Sequence, residues 1–409
     1  MKRTNESARS RYTHLGVILA LGAGISAATY GCSTSGPTPS KDAGAPSVAK
    51  EVLLKAVGEC TLTLYADFHA ATGELTQATE ALSKVQNDQN RAAAQEAWKK
   101  AIDLWQQAEL FQFGPAATTS SFGGQSLRDP IYSWPLVSRC FVEQQLVNKA
   151  YEPPGLESAL VNTRGLAAAE YLLFYTAPDN GCGPSVAINT SGAWASITPE
   201  ELARRKAAYA HAVAVDLASH TQALVDAWAP DRKNFLDKLV SAGRGNDVYA
   251  SDQVALNAIS DAMFYLDSET KDMKLGRPSG ILDCTTQTCP ETVESRFAGR
   301  SKQHIRNNLL GFRKLFEGCG EGGAGKGFDD LIISMGVDEF AVEMRTDLAA
   351  AIAALDAIEE PTLEQALVDD LPSVIAAHAA LKKVTTNLKA QFVGILDLEL
   401  PKRIEGDND

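Results

Sequence analysis

The residue best placed to do chemistry sits in Gly165-Leu166-Ala167-Ala168-Ala169-Glu170-Tyr171-Leu172-Leu173-Phe174. If this stretch is helical, the residues three and four positions either side of Glu170 are Leu166, Ala167, Leu173 and Phe174, all apolar. A carboxyl on such a face points to the core. Burying it without compensation costs several kcal/mol, so it must be protonated, paired with an arginine or bound to a cation. Arg296, Arg128 and Arg164 are candidate partners for a structural pair; a functional site would make Glu170 a metal or substrate ligand. Glu109 raises the same question, because it continues the stripe of Trp98, Ile102 and Trp105. Two inward carboxylates could share one site. Asn308, three residues after Ile305 and four before Phe312, is also predicted to face inward.

The elements that must position these residues read as helices, and strand signals are nearly absent. The spacing predicts helices over 91–113, 199–228, from Ser251 past Met263, over 301–317, 346–358 and 362–368, and over 373–400. Thr198-Pro199-Glu200-Glu201 is a helix start, with Thr198 as cap and Pro199 in the first turn. Segments 114–128, 178–197, 242–250, 274–293 and 318–328 are rich in Gly, Pro, Ser and Thr and read as irregular. The expected fold is all-α, two packed helical bundles over 49–240 and 251–402.

The chain has 409 residues, 45% of them hydrophobic and 22% charged, which excludes disordered, fibrous and multi-span membrane classes. Net charge is -13, and removing residues 1–31, which carry +3, leaves -16. Such a surface repels phosphate backbones, so nucleic acid is not an expected partner. Gly320-Glu321-Gly322-Gly323-Ala324-Gly325-Lys326 spells a phosphate-loop pattern, but Gly327 stands where Ser or Thr should hold Mg²⁺, and a helix precedes it; no nucleotide is expected. The serine-hydrolase elbow G-x-S-x-G and the zinc motif H-E-x-x-H are both absent.

Lys2, Arg3, Arg9 and Arg11 precede an uncharged run from Leu15 to Gly31, then Cys32. This resembles a bacterial lipoprotein signal over 1–31, with Cys32 lipidated and 32–48 a flexible tether. The resemblance implies export and anchoring to an envelope membrane, an outer membrane facing periplasm or surface. Export implies an oxidising compartment. The remaining six cysteines, Cys60, Cys140, Cys182, Cys284, Cys289 and Cys319, are then disulfide candidates of open connectivity.

Several blocks together resemble the imelysin family. They are Ala97-Trp98-Lys99 through Trp105 to Pro115, Ser133-Trp134-Pro135, Gly165 to Phe174, Arg204 to Leu217, Glu294-Ser295-Arg296-Phe297, Asn307 to Gly311, and Gly325 to Leu331. They follow in family order over roughly residues 50–400. The resemblance implies an exported protein of two helical bundles, a metallopeptidase by classification, with some members tied to iron uptake. It implies iron or zinc as the metal, iron-uptake components as partners, and Glu109, Glu170, Arg296 and Asn308 as ligand-binding candidates. The family's hallmark helix reads G-x-H-x-x-E, and here Ala167 stands at the histidine position. A zinc hydrolase needs three protein ligands and an open position for water, so losing that imidazole argues against peptidase activity. Three readings follow: a binder of a metal or metal-containing ligand, a metallopeptidase with a non-standard ligand set, and a non-catalytic surface protein whose site has decayed.

Overall fold

The structure, a computed structural model, describes residues 45–153, 155–402 and 404. The expected signal over 1–31 and Cys32 lie outside the described residues. Most of the expected tether over 32–48 also lies outside the described residues, and its last four positions belong to the first helix, which begins at Ala45.

The fold is all-α, with no strand among the described residues. The longer helices are α1 (Ala45–Lys84), α2 (Asp88–Ala108), α3 (Arg139–Asn148), α4 (Gly165–Phe174), α5 (Pro199–Trp228), α6 (Asp252–Met263), α7 (Ser301–Phe316), α8 (Phe328–Ser334), α9 (Asp338–Asp356), α10 (Leu363–Asp369) and α11 (Leu371–Asn387). Leu266–Gly276 winds as a wide π-type helix directly after α6. Helix α1 packs along α2 and α5, and α4 packs on α5 and α2. In the second half α9 packs on α11, and α7 contacts α2 as well as the π-type segment. Trp98, Ile102 and Trp105 of α2 and Ile305, Leu309 and Phe312 of α7 are all buried in the resulting core. No described helix is long and apolar enough to cross a membrane.

Caps explain several boundaries. Asn87, Thr198 and Ser251 accept backbone N–H bonds at the starts of α2, α5 and α6. The helix expected over 91–113 stops at Ala108 and closes with one tight turn, Glu109–Phe111. Helix α9 starts at Asp338, well before the expected 346. Helix α11 starts at Leu371, and the expected run to 400 is broken by a π-type turn at Leu388–Phe392 and ends at Ile395. Phe328–Ser334 and Arg139–Asn148 are helices that the pattern does not reveal.

Gly165 opens α4 with φ +74, and a Cβ there would stand 2.5 Å from the Ile131 carbonyl oxygen. That same carbonyl accepts from the Leu166 N–H at 2.9 Å, so the close approach fixes where α4 begins. Three disulfides pair Cys60 with Cys319, Cys140 with Cys182, and Cys284 with Cys289.

Candidate functional site

Helix α4 is buried on nearly every side, and Glu170 is only 6% exposed. Its Oε1 accepts two backbone N–H bonds, from Phe297 at 3.0 Å and Ala298 at 2.9 Å. The turn that offers these amides is set by Ser295, whose φ of +54 is left-handed. Burial drives the Glu170 carboxyl up, against the Ala298 amide, the Ser295 hydroxyl and the Phe297 amide, which favour the ionised form. The charge of nearby Glu294 adds to the rise, and the pKa is pushed up to about 7. Glu170 therefore exchanges a proton near neutrality.

Glu170 lines a cavity of about 330 Å³. Ala167, one turn earlier on α4 and half-buried, lines it too. Trp134, Pro135, Tyr171 and Phe297 supply apolar wall; Arg139, Arg277, Arg296 and Glu291 supply charge. Behind the wall, Glu143 is fully buried and accepts from Arg139 Nε (2.6 Å), Tyr171 Oη (2.7 Å) and the Gly181 amide (2.8 Å). Arg139 also reaches Asp179 at 2.9 Å and stacks over Tyr175, 4.1 Å from its ring centre. Lys206 donates to the Tyr175 carbonyl, and burial lowers its pKa to about 8.

None of the arginines expected as partners for Glu170 pairs with it. Arg296 lines the same cavity but donates to the Glu291 carbonyl at 3.3 Å. Arg128 donates to Gln112 and to the Tyr132 carbonyl; Arg164 pairs with Asp216. Backbone amides have taken the place of a guanidinium.

Glu109 and Asn308 face inward as their spacing predicts, but neither lines this cavity. They join a closed network around the ammonium of Lys274, which is fully buried. Lys274 Nζ lies 2.6 Å from Gln106 Oε1, 2.9 Å from Asn308 Oδ1, 3.1 Å from Glu294 Oε1 and 3.2 Å from Glu109 Oε2. Trp105 Nε1 and Tyr265 Oη donate to Glu109 at 3.1 and 2.8 Å, and Tyr132 Oη donates to Glu294 at 2.5 Å. His304 Nδ1 lies 3.2 Å from Glu294 Oε2. Burial alone would raise the Glu294 carboxyl, but Lys274 and His304 hold it well below the usual carboxylate range. The two inward glutamates thus belong to separate places. The sequence reading missed Lys274, Glu294 as a charged centre, Glu143, Arg139 and Arg277.

This arrangement does not fit a protein-built metal centre. Among the described residues no group of three or more His, Cys, Asp and Glu side chains is placed to hold an ion. At the cavity Glu170 has one oxygen committed to amides, and Ala167, one turn earlier on the same wall, offers no metal ligand. A zinc-bound water poised for peptide hydrolysis has no ligand set here.

Comparison with known proteins gives consistent results. The family model described as Imelysin matches residues 61–391. Iron-regulated protein A of Synechococcus elongatus is 25% identical over 344 residues, covering 83% of this chain and 85% of that protein. A crystal structure assigned as an iron-regulated protein A precursor from Parabacteroides distasonis aligns with a TM-score of 0.66 at 19% identity, covering 88% of this chain and 96% of that one. An imelysin-like protein from Psychrobacter arcticum aligns with the same TM-score at 17% identity, covering 87% and 98%. With most of its length matched by the family model and the fold shared with these structures, the chain belongs to the imelysin family.

Proposed function

We propose that this protein is an exported, lipid-anchored binding component of iron acquisition, held to an envelope membrane through Cys32, and that it captures a small metal-containing ligand in the Glu170 cavity. The observation that carries the reading is a buried carboxyl of pKa about 7 facing a 330 Å³ space. Such a group reports on what fills the cavity, because a hydrogen-bonding or cationic ligand changes its protonation. The iron connection comes from the name of the Synechococcus relative and from what the family resemblance implies. The lone, amide-capped carboxylate favours a metal that arrives already coordinated by its own chelator over a bare ion. It also favours a binding role over peptide hydrolysis.

The test is calorimetric titration of the full chain with ferric and zinc salts and with ferric chelates, repeated with Glu170→Ala. A chelate bound by the wild type should bind at least about tenfold more weakly to the variant. Binding that ignores the substitution would sink the reading. Chelator-sensitive proteolysis lost in the same variant would move the assignment to the metallopeptidase.

A further inference from the structure

We infer that the ligand of this cavity carries an oxyanion, a carboxylate in the first instance, and that Arg277 and Arg296 receive it. The inference rests on the cavity being the binding site and goes beyond it by naming what is bound.

The chain as a whole is strongly acidic, at -13, yet three arginines line this cavity against two glutamates. The three are not equivalent. Arg139 is neutralised by Glu143 and Asp179 at 2.6 and 2.9 Å and serves the wall. Arg277 stands just past the π-type helix, and its Nε is buried with no hydrogen-bond partner among the described residues. A guanidinium N–H left so is costly unless something absent from the protein completes it. Arg296 is exposed, and its one hydrogen bond is the long one to the Glu291 carbonyl. It also sits near Glu364, whose carboxyl it helps hold down against burial. Neither Arg277 nor Arg296 forms an ion pair among the described residues.

The planar fork of arginine matches a carboxylate in a two-point contact, which a metal ion cannot use. Glu170, titrating near neutrality, adds a group that can donate to a ligand oxygen when protonated or accept from a hydroxyl when not. Trp134 and Phe297 close the site with flat apolar surface. A small polycarboxylate with a hydroxyl satisfies all of these groups at once. So does its iron complex if carboxylate oxygens remain outward. The shared chemistry is the outward carboxylate.

The experiment titrates the full chain with citrate, with ferric citrate and with ferric salt held soluble by an uncharged chelator. The variants are Arg296→Gln, Arg277→Gln, Arg277→Lys and Glu170→Gln. Arg296 is exposed, so its variant folds even if Arg277→Gln does not; circular dichroism melts check both. We expect citrate, its iron complex or both to bind the wild type, at least about tenfold more weakly to Arg296→Gln and Arg277→Gln, with partial recovery in Arg277→Lys. Binding should also weaken as salt is raised. The tighter of the two arms identifies free acid or chelate as the ligand. No citrate binding in either arm, or binding unchanged by both arginine variants, would overturn the inference. The underlying site assignment fails separately, when a bound ligand of any charge is indifferent to Glu170→Gln.

Discussion

Two buried acidic centres lie close together in this molecule and are kept in opposite states. Glu170 has only neutral partners, two backbone amides and a hydroxyl, and burial wins: its pKa rises to about 7. Glu294 is just as deeply buried but has Lys274 at 3.1 Å and His304 at 3.2 Å, and attraction wins: it stays ionised. Glu109 shares the Lys274 ammonium and is closed in by Trp105 and Tyr265. Burial alone therefore says little about a carboxylate's role. A compensated, closed centre ties α2, α7 and the π-type segment together. An under-compensated one that opens on a cavity is available to a ligand.

The largest effect should come from removing the cation. Lys274→Met leaves Glu109 and Glu294 facing each other's charge without water. It should destabilise the fold by about 3–5 kcal/mol, measured by urea unfolding. Adding Glu294→Gln should recover part of the loss, because the two positions are directly coupled. A loss under about 1 kcal/mol would mean that the closed centre is solvated, and the contrast with Glu170 would dissolve.

The two centres should also respond to pH with opposite sign. The folded pKa of Glu170 lies above its unfolded value of 4.5. Its contribution is complete below about pH 4.5 and is lost as pH rises towards and past 7, worth about 3 kcal/mol in all. Glu294 is depressed, so its contribution is present above about 4.5 and is lost as pH falls below that. Urea unfolding at pH 3, 4.5, 6 and 8 should show Glu170→Gln gaining on the wild type from pH 4.5 upward and then levelling. Glu294→Gln should lose least at the acid end. Parallel curves for the wild type and Glu170→Gln would place the Glu170 pKa near its ordinary value.

How much of this was legible in the sequence follows from what is local. The inward turn of Glu170, Glu109 and Asn308 is a matter of spacing along one helix, and so are the caps at Thr198 and Ser251. Which inward group meets which is not local. Lys274 lies in the last turn of a π-type helix whose tail reads as loop, and Glu294 sits in an irregular stretch, so no periodicity marks either. The amides that cap Glu170 depend on a left-handed Ser295, a backbone state that residue type does not announce. Helix α8 and the first two turns of α9 were hidden for a related reason. Gly327 and Val337 precede them, and neither offers the side-chain oxygen that marks a start.

The smallest effect separates two explanations for the poor fit to a metal. Either the lack of an imidazole beside Glu170 is responsible, or the amides on Glu170 are. Ala167→His places a ring one turn from Glu170 on a position that faces the cavity. Because Ala167 is only half-buried, the substitution should change stability by no more than about 1 kcal/mol. If the imidazole is all that is lacking, the variant should bind zinc weakly, with Kd on the order of 10 µM, where the wild type is expected to bind none. That binding should disappear in the Ala167→His, Glu170→Gln double variant and should tighten as pH rises through 7, since the metal competes with the Glu170 proton. If the variant stays as blind to zinc as the wild type, the amide cap is what withholds the carboxylate. The cavity would then be built for a ligand that hydrogen-bonds to Glu170, whatever residue stands at 167.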